Sequence, residues 1–248
     1  MNNNFTIVYD FDGTLTDVFY PRYDILNKVK ADTLEVIKRY DYLENEINGM
    51  VNAFMYGLIK VLADNNITLT KESLCTGADS IEYAKGVEEY FENINKFAKE
   101  NNVTLNHFVV TSGMKEYIDK TNVAKYLNSI YGSSYYYEDG IAIWPSEVVE
   151  SKDKVHKIYD INKKRGMTEN DCTNMIYIGD GLTDFDSMKF VKENGGTSIC
   201  VYGKHLDECR KLEEYDVINN SFERDYTKNS KLYNYIEEKI KSSKVGEK

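Results

Sequence analysis

Three short apolar runs constrain this chain more than any other feature: Phe5 to Tyr9, His107 to Thr111 and Asn174 to Ile178. Amphipathic stretches with apolar residues three and four apart separate them, and that alternation builds a doubly wound parallel α/β sheet. In such sheets ligands sit just beyond the carboxyl ends of the strands. The three runs end in Asp10-Phe11-Asp12-Gly13-Thr14, Thr111-Ser112-Gly113 and Gly179-Asp180-Gly181-Leu182-Thr183-Asp184, all small, polar or acidic.

Asp10 and Asp12 are two apart, which in extended chain aims both at one side. Two carboxylates in one crevice repel by roughly 4 kcal/mol at about 4 Å with an effective dielectric near 20, so a cation or a shared proton has to hold them. Magnesium suits the role, being a hard ion that takes one or two carboxylates plus a phosphate oxygen. Gly13 permits a sharp turn, after which Thr14 can cap the next segment.

A chain of 248 residues with 42% hydrophobic content fits one domain with an insertion, or two small domains. The formal net charge of -10, without a basic stripe, argues against nucleic acid as a partner. No apolar run is long enough to span a bilayer, and the first strand follows the N-terminus without a basic, apolar leader. A cytoplasmic protein with no membrane partner is expected, and nothing in the sequence selects an oligomeric state. Cys75, Cys172, Cys200 and Cys209 show no Cys-x-x-Cys spacing, which leads us to expect four unpaired thiols in a reducing compartment. His107, His156 and His205 form no metal-ligand pair.

From Asp17 to Ala84 the pattern is helical, with helices expected over Tyr23 to Tyr40, Leu43 to Asn65 and Lys71 to Ala84. Residues 17–85 thus read as a helical insertion into a core formed by 1–16 and 86–248. In that core the pattern predicts helices over Gly86 to Asn101, Lys115 to Tyr126, Asp153 to Lys164 and Phe185 to Glu193. It also predicts a strand over Thr197 to Tyr202, and a Lys- and Glu-rich helix after Ser230 that frays over Ser242 to Lys248. Ser133 to Trp144 reads as a hairpin turning at Glu138-Asp139-Gly140, its tyrosines packing on the sheet.

Taken in order, Asp10-x-Asp12-x-Thr14, Thr111-Ser112-Gly113, a helix opening with Lys154, and Gly179-Asp180-Gly181-x-x-Asp184 resemble the haloacid dehalogenase-like hydrolase superfamily, in its Asp-x-Asp phosphatase branch. The resemblance covers about residues 5–16 and 86–205. The insertion lies where phosphoserine phosphatase relatives carry a helical cap. By this resemblance Asp10 is the nucleophile and Asp12 the general acid and base. Magnesium is held by Asp10, the backbone carbonyl of Asp12 and Asp180, with Asp184 and Thr14 in support. Thr111, Ser112, Gly113 and Lys154 receive the phosphate. Lys152 competes with Lys154 for the lysine role; Lys154 is preferred because Ile158 and Ile161 share its helix face.

The implied activity is magnesium-dependent hydrolysis of a small phosphorylated metabolite through an aspartyl-phosphate. A phosphomutase on the same core, or a binding protein that keeps the fold without turnover, are the alternatives. Specificity is expected from the cap and the loop after Thr14, with Tyr20, Arg22 and Tyr23 as contacts; Arg22 could read a substrate carboxylate.

Overall fold

The computed structural model describes residues 3–18, 21–203 and 206–243. Seven strands form one sheet in the order β4-β3-β2-β1-β5-β6-β7. Strand β1 (Asn3–Tyr9) lies at the centre, parallel to β2 (Val103–Met114) on one side and to β5 (Met175–Gly179) on the other. Beyond β2 comes β3 (Ser129–Glu138), parallel to it, then β4 (Ile141–Glu147), antiparallel. Beyond β5 lie β6 (Thr197–Tyr202) and β7 (Asn220–Glu223), both parallel. This is the doubly wound α/β core expected from the strand and helix alternation.

Side chains alternate across β1, so Phe5, Ile7 and Tyr9 enter one core layer and Val8 the other. The first layer is covered by α4 (Val87–Glu100) through Val87, Phe91 and Ile94, and by the C-terminal helix (Lys231–Lys241) through Leu232 and Ile236. The second is covered by the helix over Lys154–Lys164 through Ile158 and Ile161, and by that over Phe185–Glu193 through Met188 and Val191.

The chain leaves the core after Thr16 and returns at Tyr83, the two passages joined by an antiparallel bridge and by the Ala84 amide donating to the Leu15 carbonyl at 2.9 Å. Between them the insertion is helical but more broken than its periodicity predicts. A 3-10 segment (Asp24–Val29) precedes α1 (Thr33–Tyr40), which starts at a reciprocal cap between Asp32 and Glu35. The next helix, α2, spans Met50–Ala63 rather than starting near Leu43, because Asn48 and Gly49 take positive φ values that end helical continuity. Then α3 is a single turn (Lys71–Leu74), followed by another 3-10 turn (Ala78–Ser80).

The insertion has its own apolar layer, in which Tyr23, Phe54, Met55, Leu58 and Leu62 meet Met114, Tyr117, Tyr135 and Ala142 of the core. Tyr135 therefore does not pack on the sheet as expected. It is buried beneath the insertion, its hydroxyl donating to the Met55 carbonyl at 2.9 Å. Its neighbour Tyr136 instead stacks on Trp144 in solvent, with ring centroids 4.9 Å apart. The hairpin turns at Asp139 and Gly140, both at positive φ, as a two-residue β-turn requires.

Two further expectations are corrected. The helix after β2, α5, covers only Lys115–Ile118, with a separate 3-10 turn at Ala124–Tyr126. Cys200 on β6 and Cys209 on the helix over Leu206–Glu214 form a disulfide, while Cys75 and Cys172 stay free, so four unpaired thiols is wrong. Two isolated cysteines nine apart carry no pairing signal in sequence, yet a strand and the helix after it bring them face to face. Among the described residues no helix is long and apolar enough to cross a membrane. His205 and residues 244–248 lie outside the described residues.

Candidate active site

The central position of β1 puts Asp10 between the ends of β2 and β5, fixed by its amide donating to the Ile178 carbonyl at 2.8 Å. One turn later Gly13 holds φ at +75°, and a Cβ there would lie 2.2 Å from Asp180 Oδ2. Only glycine lets the two acidic loops approach this closely. Thr14 is buried on the same turn, 3.5 Å from Asp180 Oδ1 through its hydroxyl.

Lys154 opens its helix, α6 (Lys154–Lys164), and is 1% exposed. Its ammonium donates to Asp10 Oδ1 at 3.0 Å and to Asp184 Oδ1 at 2.8 Å. Lys152, two residues earlier, is exposed. Asp184 is fully buried and also accepts from the Tyr177 hydroxyl at 2.7 Å and the Asp180 amide at 3.3 Å. Its backbone position at the head of α7 (Phe185–Glu193) makes no side-chain cap, so those partners account for its orientation.

Carboxylate oxygens of Asp10, Asp180 and Asp184 lie within 4.8 Å of one another. One lysine does not balance these acids. Burial lifts the Asp10 carboxyl to about 6, against the pull of Lys154 and with help from Asp184. Burial and the neighbouring Asp10 charge also lift Asp180 well above the usual carboxylate range. Asp12 is raised for the same two reasons, and its Oδ1 is buried without a hydrogen-bond partner. An excess of buried, oxygen-only donors around an orphaned carboxylate oxygen fits a hard divalent cation such as magnesium. Asp10 and Asp180 have carboxylate oxygens to offer it, whereas Asp184 is largely engaged by Lys154 and Tyr177.

Strand β2 runs on past the expected end at Thr111 to Met114, with an irregular register after Val110. Thr111 is buried within that last stretch, where its hydroxyl oxygen accepts from the Gly113 amide at 3.0 Å, leaving the hydroxyl proton to donate elsewhere. Ser112 and Gly113 line the same cavity. The four-residue α5 that follows is too short to add much of a helix dipole, so hydroxyl and amide donors carry any anion binding at this strand end.

Several residues here escaped the sequence reading. Tyr177 sits on β5 with its ring in the core and its hydroxyl on Asp184; an inward tyrosine two residues before the acidic loop was the available signal. Glu208 Oε2 accepts from the Leu182 amide at 2.9 Å and steadies the loop between Asp180 and Asp184. Arg224, just after β7, donates to the Gly13 carbonyl and pairs with Asp17. Nothing local to Arg224 announces this, because β7 is too short to show periodicity. Of the residues expected to contact substrate, Tyr23 lines the cavity, Arg22 is exposed and outside it, and Tyr20 lies outside the described residues.

The cavity, of about 440 Å³, runs from Asp10, Asp12 and Lys154 up to the inserted helices. Such a volume suits a small molecule enclosed on several sides.

No protein-family model matches the chain. A protein of Borreliella burgdorferi, described as uncharacterised, is 22% identical over 283 aligned positions that take in 96% of this chain and 97% of its own. Among solved structures, a HAD-family hydrolase from Salmonella enterica serovar Typhi superposes with a TM-score of 0.62 at 17% identity, over 90% of this chain and 68% of its own. A phosphoserine phosphatase, captured as an analogue of its phospho-aspartyl intermediate, superposes at 0.60 and 19% identity over 95% of this chain and 99% of its own. The fold is thus that of the haloacid dehalogenase-type hydrolases. More particularly, the near-complete mutual coverage with the second structure makes it a phosphoserine phosphatase-type fold.

Proposed function

We propose that this protein is a magnesium-dependent phosphatase of small phosphomonoesters, working through a phosphorylated Asp10. The observation that carries the reading is the position of Asp10: a carboxylate at the end of the central strand, one oxygen held by a buried lysine, facing a cavity closed on the far side by an inserted helical layer.

In this reading Lys154 and the Thr111 hydroxyl draw the phosphoryl oxygens toward Asp10, offsetting charge that grows on them during transfer. Lys154 also fixes one Asp10 oxygen, and the other is the nucleophile in this reading. The Asp10–phosphorus bond forms as the ester bond breaks, and the departing alkoxide takes a proton from Asp12. Burial and the neighbouring Asp10 raise the Asp12 carboxyl well above the usual carboxylate range, the direction a proton donor needs. Asp12, now ionised, then removes a proton from the water that attacks phosphorus, releasing phosphate and restoring Asp10. Magnesium, held by Asp10, Asp180 and the Asp12 carbonyl, would neutralise charge on the phosphate and restore Asp10 as an anion. The inserted helices keep bulk water and large substrates away.

The test is phosphate release from phenyl phosphate with and without magnesium, in wild type and Asp10→Asn. Turnover that needs magnesium and disappears in the variant supports the reading. A protein that binds magnesium yet releases no phosphate would overturn it.

A further inference from the structure

The cavity has two unlike ends. Its floor carries the acids and Lys154, while its roof is mostly apolar: Pro21, Tyr23, Ile37, Met50, Val51 and Phe54, with Thr33 the polar exception, its hydroxyl donating to the Pro21 carbonyl. Beyond the floor its charged side chains are both carboxylates, the exposed Glu44 of the insertion and the half-buried Glu150 of the core. Among the described residues lining it, Lys154 is the one cation, and its ammonium is already engaged by Asp10 and Asp184. Arg22, the arginine expected to reach a substrate carboxylate, is exposed and outside the lining.

A substrate carrying a carboxylate or second phosphate would find no counter-charge here and would add its charge to acids of the same sign. An ammonium would meet the reverse. Tyr23 and Phe54 both line the cavity and stack with centroids 6.2 Å apart at an interplanar angle of 22°, so the roof carries an aromatic pair, side chains of the kind that attract alkylated ammonium groups. The apolar remainder tolerates methyl or methylene groups but offers no pairing for an anion.

We propose, resting on the phosphomonoesterase reading above, that the substrate is the phosphate ester of an ammonium-bearing alcohol, an amino alcohol or its N-methylated form. Tyr23, Phe54 and Glu44 read the ammonium. Esters carrying a carboxylate, O-phosphoserine among them, are rejected. The chain then shares its fold with a phosphoserine phosphatase while its cavity selects the opposite charge.

The experiment compares kcat/KM for phosphocholine, phosphoethanolamine, O-phosphoserine and neutral propyl phosphate, with phenyl phosphate as the general reporter. The better ammonium ester is expected to exceed both propyl phosphate and O-phosphoserine by about tenfold or more. Which of the two ammonium esters leads distinguishes a methylated from a primary head. In Glu44→Lys, an exchange at an exposed position, the ammonium-to-propyl ratio is expected to fall and the phosphoserine-to-propyl ratio to rise, each about three- to fivefold. A damaged protein does not gain activity toward phosphoserine, so these opposed changes separate charge reading from misfolding. Propyl phosphate or O-phosphoserine matching the ammonium esters in wild type would overturn the proposal, as would ratios that Glu44→Lys leaves in place. Phosphate release from none of the five, phenyl phosphate included, would instead defeat the phosphomonoesterase reading and this proposal with it.

Discussion

Glu150 Oε1 accepts a hydrogen bond from the Val51 amide at 2.7 Å, so a carboxylate of the core closes the open end of an inserted helix. Gly49, at the N-cap of α2, has no side chain to do this itself. Its φ of +119° and the 2.2 Å between a notional Cβ and Glu150 Oε1 show that the glycine makes room for the foreign cap. Glu150→Ala is expected to cost about 1 kcal/mol in urea unfolding and to speed proteolysis near residue 49. Unchanged cleavage there would show that Glu150 does not hold the helix down.

Lys154 and Lys152 make a controlled pair. Lys154→Met leaves Asp10 and Asp184 buried without their cation, and a loss of about 3–5 kcal/mol is expected. Lys152→Met, at an exposed position, is expected within about 0.5 kcal/mol of wild type. Chemical denaturation of both variants checks this. Equal effects would place the working lysine elsewhere.

Asp12 protonates the leaving alcohol in the proposed cycle, so its value depends on how badly the leaving group needs a proton. Asp12→Asn is expected to lower kcat about 100-fold or more for an alkyl phosphate and much less for p-nitrophenyl phosphate, whose anion leaves unaided. Equal losses on both would assign Asp12 a different role.

The disulfide between Cys200 and Cys209 predicts two reactive thiols in the denatured, unreduced protein and four after reduction. By the chain-entropy account, closing so short a loop stabilises by about 2–3 kcal/mol, which reduction should remove from the unfolding free energy. Thiol titration beside a denaturation curve reads both.

His107 lies in the core beneath the site. Its Nε2 donates to Asn95 Oδ1 at 3.1 Å and its Nδ1 accepts from the Tyr9 hydroxyl at 3.0 Å, so the neutral ring is the one that fits. Burial pulls its pKa from 6.5 down to about 3. The unfolded chain therefore binds a proton below about pH 6.5 that the folded chain refuses, and stability falls as pH drops through that window, by on the order of 2 kcal/mol between pH 6.5 and 4.5. Asp10, Asp12 and Asp180 act in the opposite sense, since raised carboxyl pKa values favour the folded state as pH falls. The difference between wild type and His107→Gln isolates the histidine: the variant, though less stable at pH 7, should lose less on acidification.

The centre of the sheet was legible because β1, β2 and β5 each carry a short apolar run followed by small polar or acidic residues, and physical chemistry there is local, whereas β7 offers no such run. Asp10, Asp12, Thr111 and Asp180 could be placed for that reason. Lys154 was reachable through Ile158 and Ile161, which share its buried face. The insertion was harder, because helical spacing survives a break: Asn48 and Gly49 interrupt a pattern that on paper runs on from Leu43. Glu150, Glu208 and Arg224 were invisible, since each acts on a backbone group far away in sequence, and only tertiary structure creates that neighbourhood. Tyr135 was misread because period-two alternation tells which face a residue takes, not which element covers that face.

The central place of β1 has a consequence for how the molecule is made. The strand leading into Asp10 and Asp12 emerges from the ribosome before either neighbour exists, since its hydrogen-bonding partners begin at Val103 and Met175. At ordinary elongation rates the second arrives on the order of ten seconds later. Throughout that interval the nascent chain carries an apolar β-segment with both edges bare, an invitation to chaperones or to mispairing between chains. The inserted helices are synthesised within the same interval, yet their apolar layer also waits, for Met114, Tyr117 and Tyr135 to fill it and for Glu150 to cap α2.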